Sequence, residues 1–268
     1  VDKLRKRGFS ILNPDEGLLA SLHHGEGRLP KISEIMNGIR SLFKIFMPLK
    51  GKRVLISAGP TREAIDPVRY ISNRSSGKMG YALAEKARDM GAKVILISGP
   101  VSLPPIPEID LIRIENASEM EKALNLHIKE IDYIFMAAAV ADYSPIKTFN
   151  EKMKRSSKKI NLNLRPVPDI IKSISKKTKA IIAAFSLETH NGENEALRKL
   201  KKKNVDFMIL NYANEEGAGF DSSTNHVIIF SKNGQKINID KDRKDRIAEK
   251  IILHIIEQSN VEKSILTT

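Results

Sequence analysis

The 268-residue chain contains no cysteine and no tryptophan. The missing thiols exclude disulfides, thiolate metal sites and a cysteine nucleophile of the protein's own; the cytoplasm is the simple expectation. Aromatic residues make up only 5% of the chain, and no finger, RNA-recognition or helix-turn-helix signature accompanies them, so no nucleic-acid partner is expected. No apolar run approaches the roughly 20 residues that cross a bilayer, and no membrane partner is expected. The opening Val1-Asp2-Lys3-Leu4-Arg5-Lys6-Arg7 has no apolar stretch behind it and lacks the form of a signal peptide. Val1 in place of an initiator methionine reads as the start of a fragment. Six histidines show no ligand spacing, with His23 and His24 adjacent and pointing apart, so no structural metal is expected.

What is present is charge, with 29% charged residues and a net +13 beside an ordinary 41% hydrophobic fraction. Much of the excess is lysine scattered along helices, which a solvated surface explains. Two dense clusters suit a polyphosphate. Lys152 to Lys159 packs five cations into eight residues, and Lys199 to Lys203 lies in a helical stretch further on. Either can also be a solvated charge run.

Residues 1–45 differ in pattern from the rest of the chain. A short strand is expected at Ser10–Leu12, then a Gly/His loop over 22–28 and a helix over 31–46. These pieces cannot form a core alone and are taken as a linker or a remnant of a preceding domain. From Gly51 onward, β-rich apolar runs (53–58, 93–98, 111–115, 133–138, 179–185 and 206–211) alternate with helical stretches (77–90, 118–130, 169–176 and 191–203). That rhythm predicts an α/β, Rossmann-like, mostly parallel sheet with helices on both faces. Ser118 with Glu121 is expected to cap the second helix. The alternation of Ile160 to Leu164 predicts a half-exposed antiparallel strand, and 226–231 with 236–239 a hairpin through Asn233-Gly234. A closing helix over 240–258 places Ile247, Ile251, Ile252 and Ile255 on one face, with 259–268 as a tail.

The first chemical motif runs from Gly59-Pro60-Thr61-Arg62-Glu63 to Asn73-Arg74-Ser75-Ser76-Gly77-Lys78-Met79-Gly80. It begins at a strand's carboxyl end and finishes in the first turn of a helix, where open α/β sheets bind ligands. The helix start at Ser75, Ser76 and Gly77 favours a phosphate. A nicotinamide oxidoreductase is the alternative, but 17 residues separate Gly59 from Gly77, and the second strand ends Ser98-Gly99-Pro100 without the ribose-binding acid. Met136-Ala137-Ala138-Ala139-Val140-Ala141-Asp142 leaves room for a flat ligand against the backbone. Asp142 stands at the mouth, there to meet a sugar hydroxyl or a phosphate-bound cation, or else to cap a helix.

Taken in order, these residues resemble phosphopantothenoylcysteine synthetase, often the C-terminal half of a fusion with phosphopantothenoylcysteine decarboxylase. The resemblance covers about residues 51–257 and implies a ligase domain over 46–258. Residues 1–45 resemble the end of the decarboxylase half through Glu16-Gly17-Leu18-Leu19-Ala20 and Gly25-Glu26-Gly27-Arg28. There Ser21 replaces the family's catalytic cysteine, and with the flavin-binding region absent neither FMN nor decarboxylase activity is expected.

The resemblance implies that 4′-phosphopantothenate is activated by CTP to an acyl-cytidylate, with loss of pyrophosphate, and then coupled to L-cysteine with loss of CMP. It assigns Asn73 to the acyl-phosphate intermediate and Lys152 to a flap over the triphosphate. It places Met136, Ala137, Ala138, Asp142, Phe185, Lys199 and Lys203 on CTP, with Arg165, Pro166, Val167 and Pro168 as a further nucleotide-contacting stretch. Val167 stands where the family usually has asparagine. Gly59, Ser75, Ser76 and Gly77 fall to phosphate or substrate, and Asp142 to nucleotide-bound Mg2+. A homodimer through strands beyond Asp142 is also implied. The remaining alternative is a non-catalytic nucleotide-binding or oligomerisation module.

Overall fold

Burial of every position but the first in Arg53–Ala58 and Lys93–Ser98 leaves no solvent face on either run, which forces helices onto both sides of the sheet they build. The computed structural model describes residues 1–19, 21–42, 47–155, 159–215 and 222–266, in two units, Val1–Met47 and Pro48–Thr268.

The first unit holds helix α1 (Asp2–Lys6), strands β1 (Asp15–Leu18) and β2 (His24–Arg28), and helix α2 (Ile32–Leu42). No strand forms at Ser10–Leu12, correcting that expectation, and the stretch read as a Gly/His loop is itself β2, antiparallel to β1. Glycine is the reason. A Cβ on Gly17 would lie 2.6 Å from Arg28 Cδ, so the Arg28 side chain can fold over the bare backbone opposite. Of the helix expected over 31–46, residues 43–46 lie outside the described residues.

The second unit runs through β3 (Arg53–Ala58), β4 (Arg62–Ala64), β5 (Tyr70–Ser72), α3 (Lys78–Asp89), β6 (Lys93–Ser98), β7 (Asp110–Arg113), α4 (Ala117–His127) and β8 (Tyr133–Met136). It continues with β9 (Tyr143–Pro145), β10 (Leu164–Pro166), α5 (Ile170–Ile174), β11 (Ile181–Glu188), α6 (Gly192–Lys203), β12 (Phe207–Tyr212), β13 (Thr224–Ser231), β14 (Lys236–Arg243) and α7 (Lys244–Leu266). Eight strands form one sheet in the order β14-β13-β12-β11-β8-β3-β6-β7. The six from β12 to β7 are parallel, and the β13–β14 hairpin adds antiparallel strands at one edge. Counted along the chain, the parallel strands have the doubly wound order 3-2-1-4-5-6, whose switch point falls between β3 and β8.

The period of two along each strand separates the core into two faces. Val54, Ile56 and Ala58 pack with α3 and α7, whose Ile247, Ile251, Ile252 and Ile255 are at most 1% exposed. Leu55 and Ile134 pack with α4, α5 and α6. The closing helix starts at Lys244 rather than near Asp240, because Lys236–Arg243 is held in the sheet by β13. It runs past Gln258, and Ser259 meets the Tyr133 hydroxyl at 3.2 Å.

Two further expectations are corrected. The α4 cap is Asn116 with Glu119, not Ser118 with Glu121: Asn116 Oδ1 accepts from Glu119 N at 2.9 Å, and Glu119 Oε2 from Glu115 N at 2.7 Å. Ladder pairing is confined to Leu164–Pro166 opposite Tyr143–Pro145 instead of covering Ile160–Leu164. The short partner strand sets that register, and alternation in one strand alone cannot.

Candidate active site

Three glycines shape the first wall. Gly59 turns the chain at the end of β3 with φ +73°, and Gly77 heads α3 with φ +74°. The two lie back to back, since a Cβ on Gly77 would come within 3.5 Å of Gly59 Cα. One helical turn on, a Cβ on Gly80 would sit 2.5 Å from Ala58 Cβ, so only glycine lets α3 press this closely on β3. Tight turn, close ligand approach and helix–strand contact are the three tasks of a dinucleotide-binding Gly-x-Gly-x-x-Gly. Here they are shared among residues separated by the β4–β5 hairpin.

That hairpin and the Ala139 loop are tied by buried polar groups. Thr61, 0% exposed, accepts on Oγ1 from Ala141 N at 3.0 Å, and its carbonyl accepts from Ser72 Oγ at 2.8 Å. Glu63 Oε1 accepts from Ala117 N at 3.0 Å, a carboxylate at the start of α4. Pro60 and Ala139 form a parallel bridge that carries the β3–β8 pairing outward. Arg62 stacks over Tyr70 at 4.6 Å and reaches Glu115 at 3.5 Å.

The strand tips enclose a cleft of about 950 Å³ at the switch point. Of the expected residues, Asn73, Ser75, Ser76, Gly77, Met136, Ala137, Ala138, Asp142, Pro166, Val167, Pro168, Phe185 and Lys203 all line it. Asn73 Nδ2 donates to the Val140 carbonyl at 2.9 Å, spanning the two loops. Asp142 begins no helix; its carbonyl accepts from Val167 N at 2.8 Å, and strand β9 comes directly after it. Lys203 Nζ lies 3.2 Å from Asp169 Oδ1, the carboxylate oxygen that also caps α5 through Lys172 N.

Gly59, Lys152, Arg165 and Lys199 do not line the cleft. Gly59 lies beneath its floor, its carbonyl accepting from Ala139 N at 2.9 Å. Arg165 is exposed on β10. Lys199 Nζ bonds Glu188 Oε1 and lies 3.1 Å from Ser186 Oγ. Lys152 is exposed in the loop after β9; Ser156, Ser157 and Lys158 of its basic cluster lie outside the described residues.

The root of that loop is pinned. Asp66, 3% exposed, accepts from Val68 N and Arg69 N at 2.8 Å, from Arg69 Nε at 2.9 Å, and from Met153 N at 3.1 Å. Arg69 Nη2 in turn donates to the Met153 carbonyl at 2.6 Å. Burial alone would raise the Asp66 pKa, but these donors outweigh it and hold the carboxyl well below the usual carboxylate range. With both backbone groups of Met153 gripped, Lys152 stands one residue from a fixed point. Asp66→Asn should release that point, raising proteolytic cleavage after Lys152 and Lys154 several-fold with the global melting transition retained. Equal cleavage of both proteins would show that the grip does not restrain the loop.

Sequence reasoning did not single out Thr61, Glu63, Asp66 or Arg69 as supports, nor Thr189, Asn211, Asn225 and Lys244 as cleft residues. Asn211 was findable, because it lies at the carboxyl tip of β12. Asn225 lies on the antiparallel edge and Lys244 heads the helix that follows it, where no strand-tip rule points.

Fold and cleft together define a doubly wound α/β domain with a large cleft at the strand tips. Residues 49–258 match the model of the DNA/pantothenate metabolism flavoprotein C-terminal domain, and the chain belongs to that family. The Bacillus subtilis coenzyme A biosynthesis bifunctional protein CoaBC is 42% identical over 240 residues, covering 88% of this chain and 59% of that protein. A protein of an unknown prokaryotic organism, named cysteine/cysteine sulfinic acid decarboxylase, is 42% identical over 260 residues, 94% of this chain and 72% of its own length. The chain thus spans about three fifths of the CoaBC relative. The crystal structure of a CoaBC C-terminal domain superposes with a TM-score of 0.69 at 36% identity, covering 80% of this chain and 98% of that one. A Cab2 mutant in complex with phosphopantothenate-cysteine shares the fold, with a TM-score of 0.67 at 20% identity over 89% of this chain and 97% of that one.

Proposed function

We propose that residues 48–268 form a ligase of coenzyme A synthesis that couples 4′-phosphopantothenate to L-cysteine at the expense of CTP. The observation that carries this reading is the convergence of Asn73, the start of α3, the Met136–Asp142 loop and Lys203 on one cleft. A carboxylate does not condense with an amine in water, because its oxygen leaves poorly. Attack of the substrate carboxylate on the α-phosphorus expels pyrophosphate and turns that oxygen into part of CMP. The cysteine amine then attacks the acyl carbon, loses a proton, and expels CMP to leave the amide.

The chain's share of this work is orientation and charge. The small side chains of Ala137 and Ala138 leave the β8 tip open to a flat base, with Phe185 beside it. The α3 start and Lys203 meet phosphates. Asn73, fixed by Val140, offers its remaining N–H to the acyl oxygen, and Lys152 approaches the triphosphate from the pinned loop. Among the described residues no cluster of three His, Cys, Asp or Glu is placed to hold a metal. The Asp142 carboxylate at the mouth fits a cation carried in on phosphate oxygens. Mg2+ in that role supplies neutralisation of phosphate charge.

Exposed Val68, Tyr70, Tyr143, Ile146 and Leu164 on the β4–β5 and β9–β10 arms support a homodimer through that extension. No helix among the described residues is long and apolar enough to cross a membrane, and the cytoplasm, which supplies CTP and free cysteine, is the proposed location. Neither FMN binding nor decarboxylation is assigned to this chain, where Ser21 replaces the family's cysteine.

The test is pyrophosphate release. CTP, Mg2+ and 4′-phosphopantothenate should give about one equivalent of pyrophosphate per site before cysteine is added, with continuous turnover afterwards. Lys152→Ala should slow the first phase at least tenfold, on the order of losing one charge-assisted phosphate contact. No release from wild-type protein would defeat the ligase reading.

A further inference from the structure

The β12–β13 ladder ends at Leu210 opposite Ile228. Beyond it the chain lines one edge of the cleft, with Asn211 and Ala213 on the β12 side and Asn225 on the β13 side. A histidine outside the cleft joins the two sides. His226 Nδ1 lies 2.9 and 3.1 Å from the two carboxylate oxygens of Glu215, and Nε2 lies 2.7 Å from Asn238 Oδ1.

These bonds decide the protonation of the ring. Asn238 Nδ2 donates to Asp240 Oδ1 at 2.7 Å, which leaves the Asn238 carbonyl oxygen turned toward Nε2. Both ring nitrogens therefore face acceptors, and a neutral imidazole has one proton for two such contacts. The imidazolium satisfies both. The charged groups facing the ring are Glu215, three residues past β12, and Asp240 of β14, both acids. Burial lowers the His226 pKa, but the bonds to Asn238 and Glu215 and these two charges outweigh it and hold the group above its ordinary value.

The side chains of His226 and Glu215 are 24% and 32% exposed, so water screens the pair only in part. Glu215 closes a short stretch whose other contacts run toward β11. Ala213 N donates to the Glu188 carbonyl at 2.9 Å, and Asn214 Nδ2 to the Thr189 carbonyl at 3.5 Å. On the histidine's own strand, Asn225 Oδ1 accepts from His226 N at 3.1 Å. The His226–Glu215 bond thus ties the Ala213 side of the cleft edge to the Asn225 side.

We propose that His226 is a positioning residue of the cleft, an imidazolium that clamps the end of β12 to β13 and releases it on losing its proton. Because the pKa is raised, the clamp is fully formed below the ordinary value of 6.5 and is lost as pH climbs through the raised one. The link to CTP rests on the ligase reading; the clamp itself is tested without ligand.

Nitrogen NMR of the full chain should give His226 a titration midpoint above 6.5, with both ring nitrogens protonated below it. Amide exchange, corrected for the intrinsic rate, should show protection at Ala213 falling about three- to tenfold across that titration. His226→Gln and Glu215→Gln should each abolish that pH dependence, and either serves if the other fails to fold. In calorimetry over the same range, wild-type CTP affinity should fall about threefold more than that of His226→Gln. A midpoint at or below 6.5, or the same pH-dependent protection in both variants, would overturn the clamp. CTP affinities that run parallel with pH in wild type and His226→Gln would remove His226 from positioning the cleft. Wild-type protein that binds no CTP at any pH, while protection at Ala213 still follows His226, would defeat the ligase reading and spare the clamp.

Discussion

Replacing Asn73 with alanine should slow amide formation about 100- to 1000-fold, the range for removing one donor to a developing oxyanion, while CTP affinity stays unchanged. The amide of Asn73 bridges two loops through Val140, and that bond fixes where its second N–H points. The substituted protein keeps the cleft walls but, on the proposed ligase reading, loses the donor assigned to the acyl oxygen as its carbon is attacked. Rapid-quench measurement of pyrophosphate and amide in one time course would show the step affected. Asn73→Asp sharpens the comparison, since it preserves shape and removes both N–H groups. Wild-type turnover by either variant would remove Asn73 from the mechanism.

The largest effect on stability is expected at Gly99. A Cβ there would stand 1.7 Å from the Pro60 carbonyl oxygen and 2.8 Å from its carbon, which are backbone atoms and cannot swing aside. Gly99→Ala must therefore displace either the end of β6 or the Pro60 turn. Overpacking typically costs about 1–3 kcal/mol, and a clash with fixed backbone atoms places this site at the upper end. Because Pro60 bridges Ala139 under the cleft, activity should fall with stability. Gly234→Ala is the control: at φ +90° it is strained, yet a Cβ meets nothing within 4 Å. It should cost about 1–2 kcal/mol, the usual penalty for a side chain in a left-handed turn, and leave turnover intact. Chemical denaturation beside an activity assay measures both. A Gly99→Ala protein as stable as wild type would show that the Pro60 turn yields freely.

The parallel sheet was legible because its evidence is local and repeated: strands buried on both faces are continuous apolar runs, and helices between them keep their own period. Residues at strand tips could be placed from topology, and Met136–Asp142 line the cleft as that rule anticipates. The split glycine set was harder to see. Gly77 and Gly80 keep the spacing of the second and third fingerprint glycines, whereas the first, Gly59, stands on the far side of a hairpin, so linear spacing hides what the backbone brings together. Lys199 shows another limit. Its helix was anticipated, but a pairing with Glu188 at the end of β11 depends on side-chain geometry that spacing does not encode. The same holds for Asp66, whose partner Met153 lies 87 positions away.

The cleft draws on segments from Asn73 to Lys244, contributed by both halves of the sheet and by its antiparallel edge. No fragment or partly assembled intermediate therefore owns a complete binding surface. A nucleotide can add its binding free energy only to the finished sheet, so it should protect slow-exchanging central strands and the hairpin edge by the same amount. Ligand occupancy then serves as an inspection of the whole domain: on the proposed reading, a chain with its last strand unpaired should gain little from CTP, however well its first glycine turn has formed.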